Sequence, residues 1–154
     1  MTDKEHYKKL EQMYASASCN EYYSPELTVS EGAAELVIPV HERFFHAAGA
    51  VHGAVYFKAL DDAAFFACNS VVEDFLVLTV SFNVYFLRPV SSAQIKAAGR
   101  VVHASRNLLI GESQLFDSKG REIARGSGTF ARSKIRLSPD LGYVLPGFQR
   151  SPEA

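Results

Sequence analysis

The chain lacks several features that would assign it to a protein class at once. It has no tryptophan, only two cysteines, and nearly equal numbers of basic and acidic residues, 16 and 17, for a formal net charge of −1. This balance offers no basic surface to nucleic acid or to an anionic membrane, so we expect neither partner. Cys19 lies in a predicted surface loop and Cys68 in a predicted buried helix, and we expect two free thiols.

Signal-like segments and metal-binding patterns are also missing. Residues 1–11 are strongly charged, and no later stretch reaches the ~18 uninterrupted apolar residues of a membrane span. We therefore expect a cytoplasmic protein. The spacings of His41, His46 and His52 place no two of them on one face of a helix, so we expect no metal site.

One long apolar segment carries two acids in its middle. Residues 52–71 are rich in Ala, Leu and Phe, contain no Pro, and are too long for a typical strand, which predicts an enclosed helix. Asp61 and Asp62 lie in it, although a buried carboxylate is unfavourable unless it is paired or its pKa is raised. A shorter amphipathic helix is predicted at residues 4–17, where apolar residues recur every three or four positions.

Alternating apolar and polar residues predict strands on both sides of the long helix. A short hairpin is predicted around Gly32, with strands near residues 27–29 and 34–40. Four longer strands are predicted within residues 76–134, at 76–87, 94–105, 108–116 and 122–134. In the first of these, Leu78, Val80 and Phe82 are expected on the core face, and Thr79, Ser81 and Asn83 on the polar face.

These elements predict an α+β domain over residues 1–136, followed by a C-terminal tail at 137–154 that contains three Pro and two Gly. Both ends of the long helix connect to the same antiparallel sheet of about six strands, so the sheet must curve around the helix. Such a sheet leaves a long edge strand, which pairing with a second copy would protect. We expect a homodimer, and a homotetramer built from two dimers.

The segment His52–Phe65, HGAVYFKALDDAAF, resembles the HGG-x-x-F-x-L-A-D signature of hot-dog fold acyl-CoA thioesterases of the phenylacetate-degradation (PaaI-like) type. The wider group includes 4-hydroxybenzoyl-CoA thioesterases, and the resemblance covers roughly residues 35–134. It implies a hot-dog fold and the hydrolysis of an acyl-CoA thioester to free acid and CoA. CoA is then part of the substrate, and no cofactor is implied.

The resemblance also implies roles for individual residues. The family's acid lies nine positions after the motif histidine, which is Asp61 here, and it acts as general base or nucleophile. The Gly53 N–H would hold the oxyanion, and Thr79 would help to position the attacking water. His46 stands where the family usually has Asn or Gln, and it becomes a second candidate positioning group.

Other readings of these residues stay open. Asp62 could form an exposed i,i+4 pair with Lys58. His52 could be a helix cap or a core histidine instead of a catalytic group.

Ser105 and Arg106 could be a simple turn or, with Arg88, could contact the phosphates of CoA. Gly126-Ser127-Gly128 is interpreted as a close approach of a strand to the helix. The alternative functions are a non-catalytic acyl-CoA-binding module and a hot-dog hydratase or dehydratase, which would need His46 or His52 paired with Asp.

Overall fold

The computed structural model describes residues 1–149. Residues 150–154, the end of the predicted tail, lie outside the described residues. Helix α1 spans Asp3–Ser16 and helix α3 spans Gly53–Ser70, each within one residue of its predicted bounds. None of the helices in residues 1–149 has both the length and the apolar character needed to cross a membrane. Both cysteines are free thiols, as predicted: Cys19 is exposed and Cys68 is buried.

Two short helical turns also form in segments whose sequence shows no regular spacing of apolar residues. A four-residue helix, α2 (Asn20–Tyr23), occupies the segment interpreted as a polar break, and a 3-10 turn forms at Glu42–Phe44. The buried Phe44 anchors that turn, and its carbonyl accepts a hydrogen bond from the His52 N–H at 2.8 Å. The segment before α3 is thus fixed against the start of the helix.

Six strands form one antiparallel sheet that packs against α3, which confirms the predicted α+β architecture. The strands are β1 (Glu26–Ser30), β2 (Ala33–Pro39), β3 (Phe75–Phe86), β4 (Gln94–Ala104), β5 (Leu109–Asp117) and β6 (Glu122–Arg136). Their order across the sheet is β1-β2-β4-β5-β6-β3, so β1 and β3 are the two edges.

Small residues let α3 lie close to the sheet. Ala63 on the helix is fully buried, and a Cβ added at Gly99 on β4 would stand 2.3 Å from the Ala63 carbonyl. Gly126 and Gly128 on β6 serve a different purpose from the predicted one. A Cβ at either position would lie within 2.5 Å of the Phe82 ring, so these glycines accommodate an aromatic ring from β3 and not the helix.

A β-bulge corrects the predicted faces of β3. The register against β6 shifts between Thr79 and Ser81, and an inserted residue exchanges the faces of the residues on either side of it. Before the bulge, Val77 is buried and Leu78 is 45% exposed; Val80, in the bulge, is 67% exposed. The assignment of Leu78 and Val80 to the core is therefore wrong, and Thr79 points toward α3.

The two edge strands of the sheet differ in how far other parts of the chain cover them. On β1, the Val29 N–H donates to Glu11 Oε1 of α1 at 2.9 Å, so the first helix partly covers that edge. On β3, the apolar side chains of Val80, Tyr85 and Phe86 are more than half exposed. An exposed apolar edge strand is a surface that readily pairs with another strand.

Candidate active site

Asp61 lies on the side of α3 that faces β3. Its carboxylate is half-buried, and Thr79 Oγ1 donates a hydrogen bond to Oδ1 at 2.9 Å. Burial raises the pKa of Asp61 to about 6; the Thr79 hydrogen bond lowers it, the neighbouring Asp62 raises it and Lys58 lowers it. A carboxylate with a pKa near 6 is ionised at neutral pH and is a stronger base than a solvated one.

Asp62, the next residue, has a different environment from the one predicted. Its Oδ2 accepts hydrogen bonds from Lys58 Nζ at 2.7 Å and from Tyr14 Oη at 2.5 Å. The Lys58 and Asp62 side chains are only 15% and 18% exposed, so the predicted exposed pair is in fact largely buried. The reason is that Tyr14 of α1 covers this side of α3. Burial, followed by the charge of Asp62, raises the pKa of the Tyr14 hydroxyl.

His52 caps the start of α3. Its Nδ1 accepts a hydrogen bond from the Ala54 N–H at 2.9 Å, and its carbonyl accepts one from the Val55 N–H. Within residues 1–149, the Gly53 N–H donates to no acceptor. A free first-turn N–H at the positive end of the helix dipole is suited to hold an anion.

Phe86 of β3 lies directly against Gly53. A Cβ added to Gly53 would stand 2.9 Å from the Phe86 ring, so a larger residue would displace that ring. The Tyr56 ring lies 6.0 Å from the Phe86 ring, and its hydroxyl donates to the Arg88 carbonyl at 2.8 Å. The end of β3 is thereby held beside the N-terminus of α3.

His46 is separate from these groups. The ring is exposed, and its Nδ1 accepts a hydrogen bond from the Ala48 N–H at 3.1 Å in a tight turn. Within the described part of one chain, His46 makes no hydrogen bond to Asp61, Gly53 or Thr79.

The predicted CoA contacts lie at two ends of the sheet. Ser105 and Arg106 form the β4–β5 turn, beyond the Leu109–Phe130 pair, whereas Arg88 follows β3 beyond the Phe86–Ala124 pair. Ser105 Oγ closes its own turn through the Leu108 carbonyl and N–H. One chain therefore does not bring Arg88 together with the other two.

The contact of Arg132 with this turn was not predicted from the sequence. The Arg132 guanidinium donates to the carbonyls of Ser105 and Arg106 from β6, a contact that only the strand pairing reveals. Among the described residues, no group of three His, Cys, Asp or Glu side chains could hold a metal ion.

A long helix wrapped by a six-stranded antiparallel sheet is the hot-dog architecture, one class of α+β proteins. A family model for the thioesterase superfamily matches residues 48–124, half of the chain, including Gly53, Asp61 and Thr79. The chain belongs to the thioesterase superfamily, which is a family of hydrolases, and it has the hot-dog fold.

Solved structures agree with this fold. The E. coli PaaI protein from the phenylacetic acid degradation operon superposes with a TM-score of 0.81 at 18% identity, over 90% of this chain and 100% of that one. A thioesterase from Haemophilus influenzae has a TM-score of 0.72 at 20% identity, over 78% and 85% of the two chains. A thioesterase family protein from Silicibacter pomeroyi has a TM-score of 0.77 at 25% identity, over 82% and 96%.

Proposed function

We propose that this protein hydrolyses acyl-CoA thioesters to the free acid and CoA, with Asp61 as the general base or nucleophile. The observation that carries the proposal is the environment of Asp61: half-buried, bonded to a single hydroxyl, and with a pKa of about 6. Perturbed carboxylates of this kind are typical of groups that take a proton near neutral pH.

In the general-base route, Asp61 removes a proton from a water molecule as the water oxygen attacks the thioester carbonyl carbon. The Gly53 N–H stabilises the oxyanion that forms on the carbonyl oxygen. The C–S bond then breaks, the thiolate of CoA leaves and takes up a proton, and the acid is released. In the nucleophilic route, a carboxylate oxygen of Asp61 attacks the carbonyl carbon, the C–S bond breaks and the CoA thiolate leaves and takes up a proton. Water then hydrolyses the resulting anhydride, which releases the acid and restores Asp61.

The spacing along α3 supports a site shared by two copies. Gly53 and Asp61 are eight residues apart on one helix, a separation of about 12 Å along its axis. The donor and the base must each come within about 3 Å of the same reacting group. Gly53 of one copy and Asp61 of the other satisfy this requirement better than two residues of a single helix.

The exposed edge of β3 provides a way to build that site. Phe86 lies against Gly53, and Thr79 is bonded to Asp61, so β3 carries one residue beside each group. Antiparallel pairing of two β3 strands about a twofold axis between Phe82 and Asn83 would place Phe86 of the second copy opposite Thr79. A homodimer then contains two composite sites, and two dimers can form the homotetramer we expect.

The remaining predicted residues have supporting roles in this proposal. Thr79 orients the Asp61 carboxylate, and His52 fixes the helix start that presents Gly53. His46 stays a predicted positioning group, with Nε2 as its remaining ring nitrogen. Ser105 and Arg106 of one copy, with Arg88 of the other, are proposed to contact the phosphates of CoA, because the same twofold brings opposite ends of β3 together. We further propose a cytoplasmic location, where acyl-CoA is available.

The contacts within one chain do not favour the hydratase alternative. It needs a histidine paired with Asp, and within residues 1–149 Asp61 is bonded to Thr79, while His52 serves as a helix cap. The non-catalytic binding module remains as the alternative outcome of the activity test.

The test is free-thiol release from a panel of short, long and aromatic acyl-CoAs. We expect at least one to be hydrolysed, and Asp61→Asn to lower its kcat/KM by about 10³-fold, because the general base is removed. Binding of the whole panel without thiol release, or full turnover by Asp61→Asn, would contradict the proposal.

A pair of substitutions isolates the oxyanion donor. Gly53→Pro removes the N–H at a position where Pro fits a helix start, since His52 already has an extended backbone. Gly53→Ala keeps the N–H but places the same Cβ against Phe86. We expect kcat to fall about 10²-fold further in Gly53→Pro than in Gly53→Ala. Equal losses in the two variants would show that packing against Phe86, and not the N–H, matters here.

A further inference from the structure

A charged and aromatic cluster lies on α3 immediately beside the proposed base. It consists of Lys58, Asp62, Tyr14 and Tyr23, and we refer to it as the Lys58–Asp62 cluster. Asp62 Oδ2 receives hydrogen bonds from Lys58 Nζ at 2.7 Å and from Tyr14 Oη at 2.5 Å. The Lys58 ammonium lies 4.9 Å from the centroid of the Tyr23 ring and 5.4 Å from that of Tyr14. The charges are thus fixed between two aromatic rings.

Three separate elements hold this cluster in place. The Tyr23 ring of α2 stacks on the buried Phe44 at 5.6 Å, and Asn20 Nδ2 donates to the Tyr14 carbonyl at 2.7 Å. At its other end, α1 is anchored by the buried His6, whose Nε2 lies 2.9 Å from the Asn69 carbonyl near the end of α3. The cluster is therefore part of the docking of α1, not a surface ion pair that water can screen.

Asp61 precedes Asp62 directly in the chain and follows Lys58 by three residues, so both charges of this cluster act on it. Lys58 and Asp62 lie on α3 near Asp61, and Thr79 donates a hydrogen bond to it from β3. From α1, Tyr14 is the titratable group near enough for the Asp61 charge to affect its pKa. The Asp62 charge disfavours ionisation of Asp61, the Lys58 charge favours it, and the effect of Asp62 is the larger. Because the cluster is largely desolvated, both effects act through a less screening medium than water.

We propose that Asp62 is a positioning residue for the reaction: held by Lys58 and Tyr14, it keeps a negative charge beside Asp61 and so shifts upward the pH range in which Asp61 takes a proton. The inference rests on the proposed role of Asp61. It gives the N-terminal helix a function beyond covering the edge of β1, since α1 supplies the hydroxyl that fixes Asp62.

The direct test is an NMR titration of the Asp61 side-chain carboxyl in protein labelled with ¹³C-aspartate, with Asp61→Asn assigning the signal. In Asp62→Asn, we expect the Asp61 midpoint to fall by about half a pH unit, because a like charge has been removed. In Lys58→Gln, we expect the midpoint to rise. The double variant Asp62→Asn/Lys58→Gln should return toward the wild-type value.

Glu112→Gln is the matched control. Glu112 pairs with Arg100 in an exposed ion pair on β5 and β4, so its removal changes the net charge by the same amount as Asp62→Asn. We expect no movement of the Asp61 midpoint in this variant. Equal midpoints in Asp62→Asn, Lys58→Gln and Glu112→Gln would overturn the proposal.

The kinetic readout is the acidic limb of kcat/KM for the best acyl-CoA, which should move down in pH in Asp62→Asn and up in Lys58→Gln. If Asp62 had a purely structural role, its substitution would lower the maximum of kcat/KM and leave the pH of the acidic limb unchanged. That result would also overturn the proposal. If Asp62→Asn does not fold, the double variant compared with Lys58→Gln provides the same contrast, because neither leaves an unpaired ammonium. The NMR titration needs no substrate, so it separates a failure of this inference from a failure of the proposed function.

Discussion

Two adjacent carboxylates on α3 have opposite environments. Asp61 faces β3 and receives one hydrogen bond, from the uncharged Thr79. Asp62 faces α1 and receives two bonds at one oxygen, from Lys58 and Tyr14. Neighbouring positions on a helix differ by about 100° in direction, so one residue step moves a side chain from one packed face to another.

This difference separates the proposed base from a carboxylate whose charge is stabilised by its neighbours. Lys58 and the Tyr14 hydroxyl stabilise the negative charge of Asp62. Burial raises the pKa of Asp61 to about 6, so Asp61 can take up a proton near neutral pH. The Asp61 environment is unfavourable for folding and favourable for catalysis, and the Asp62 environment supports folding. Substitution should therefore affect the two positions in opposite directions.

The largest expected effect on stability is at Asp62. Asp62→Asn should lower the free energy of unfolding by about 2 kcal/mol, because it leaves the Lys58 ammonium largely buried without its carboxylate. Urea unfolding at pH 8 measures this change. Asp62→Asn/Lys58→Gln, which removes both charges, serves as the control and should recover part of the loss. A neutral effect of Asp62→Asn would mean that the two carboxylates are not structurally different.

At Asp61 the same substitution should stabilise the protein. A carboxyl whose pKa is higher in the folded state than its ordinary value near 4 makes folding less favourable as pH rises from about 4 to about 6. Asp61→Asn removes that penalty, so at pH 8 it should gain about 1–2 kcal/mol, a figure reduced for the solvent that reaches this half-buried group. The gain should disappear at pH 4. Thermal unfolding at both pH values checks this, and an equal gain at pH 4 would contradict it.

The smallest expected effect is a shift in the pH dependence of activity on substitution of Thr79. The Thr79 hydroxyl lowers the pKa of Asp61, so Thr79→Val should raise it and move the acidic limb of kcat/KM up by about half a pH unit. Thr79→Ser keeps the hydroxyl and should leave the limb in place. Ser81→Ala removes a hydroxyl that is bonded to Thr129 across the exposed side of the strand pair, and it tests whether any polar loss on β3 has the same result.

The sequence predicted most of the fold because its signals are local. The long run at α3 and the alternation in β3 to β6 placed each of these boundaries within about two residues. The bulge after Thr79 was not predictable in this way, since the residues around it alternate regularly and the extra residue appears only when β3 pairs with β6.

Some features of the candidate site could likewise be predicted from the sequence, and others could not. Asp61, Gly53 and Thr79 were predicted from the resemblance of one segment to a family signature. The pairing of Asp62 with Lys58 was predicted from their i,i+4 spacing. The Tyr14 bond to Asp62 was not, because Tyr14 lies 48 residues away in the chain and its periodicity indicated only a buried helix face. The role of Phe86 against Gly53 likewise depends on the position of β3 in the sheet.

The central claim, that Asp61 acts with the Gly53 N–H of a second copy, is tested most directly by complementation. Chains carrying Asp61→Asn and chains carrying Gly53→Pro are co-expressed with different tags, and the mixed dimers are purified through both. Each mixed dimer then contains one intact composite site, so we expect about half of the wild-type turnover, although each variant alone is nearly inactive. Mixed dimers as inactive as the two parents would contradict the shared site and place both groups within one chain.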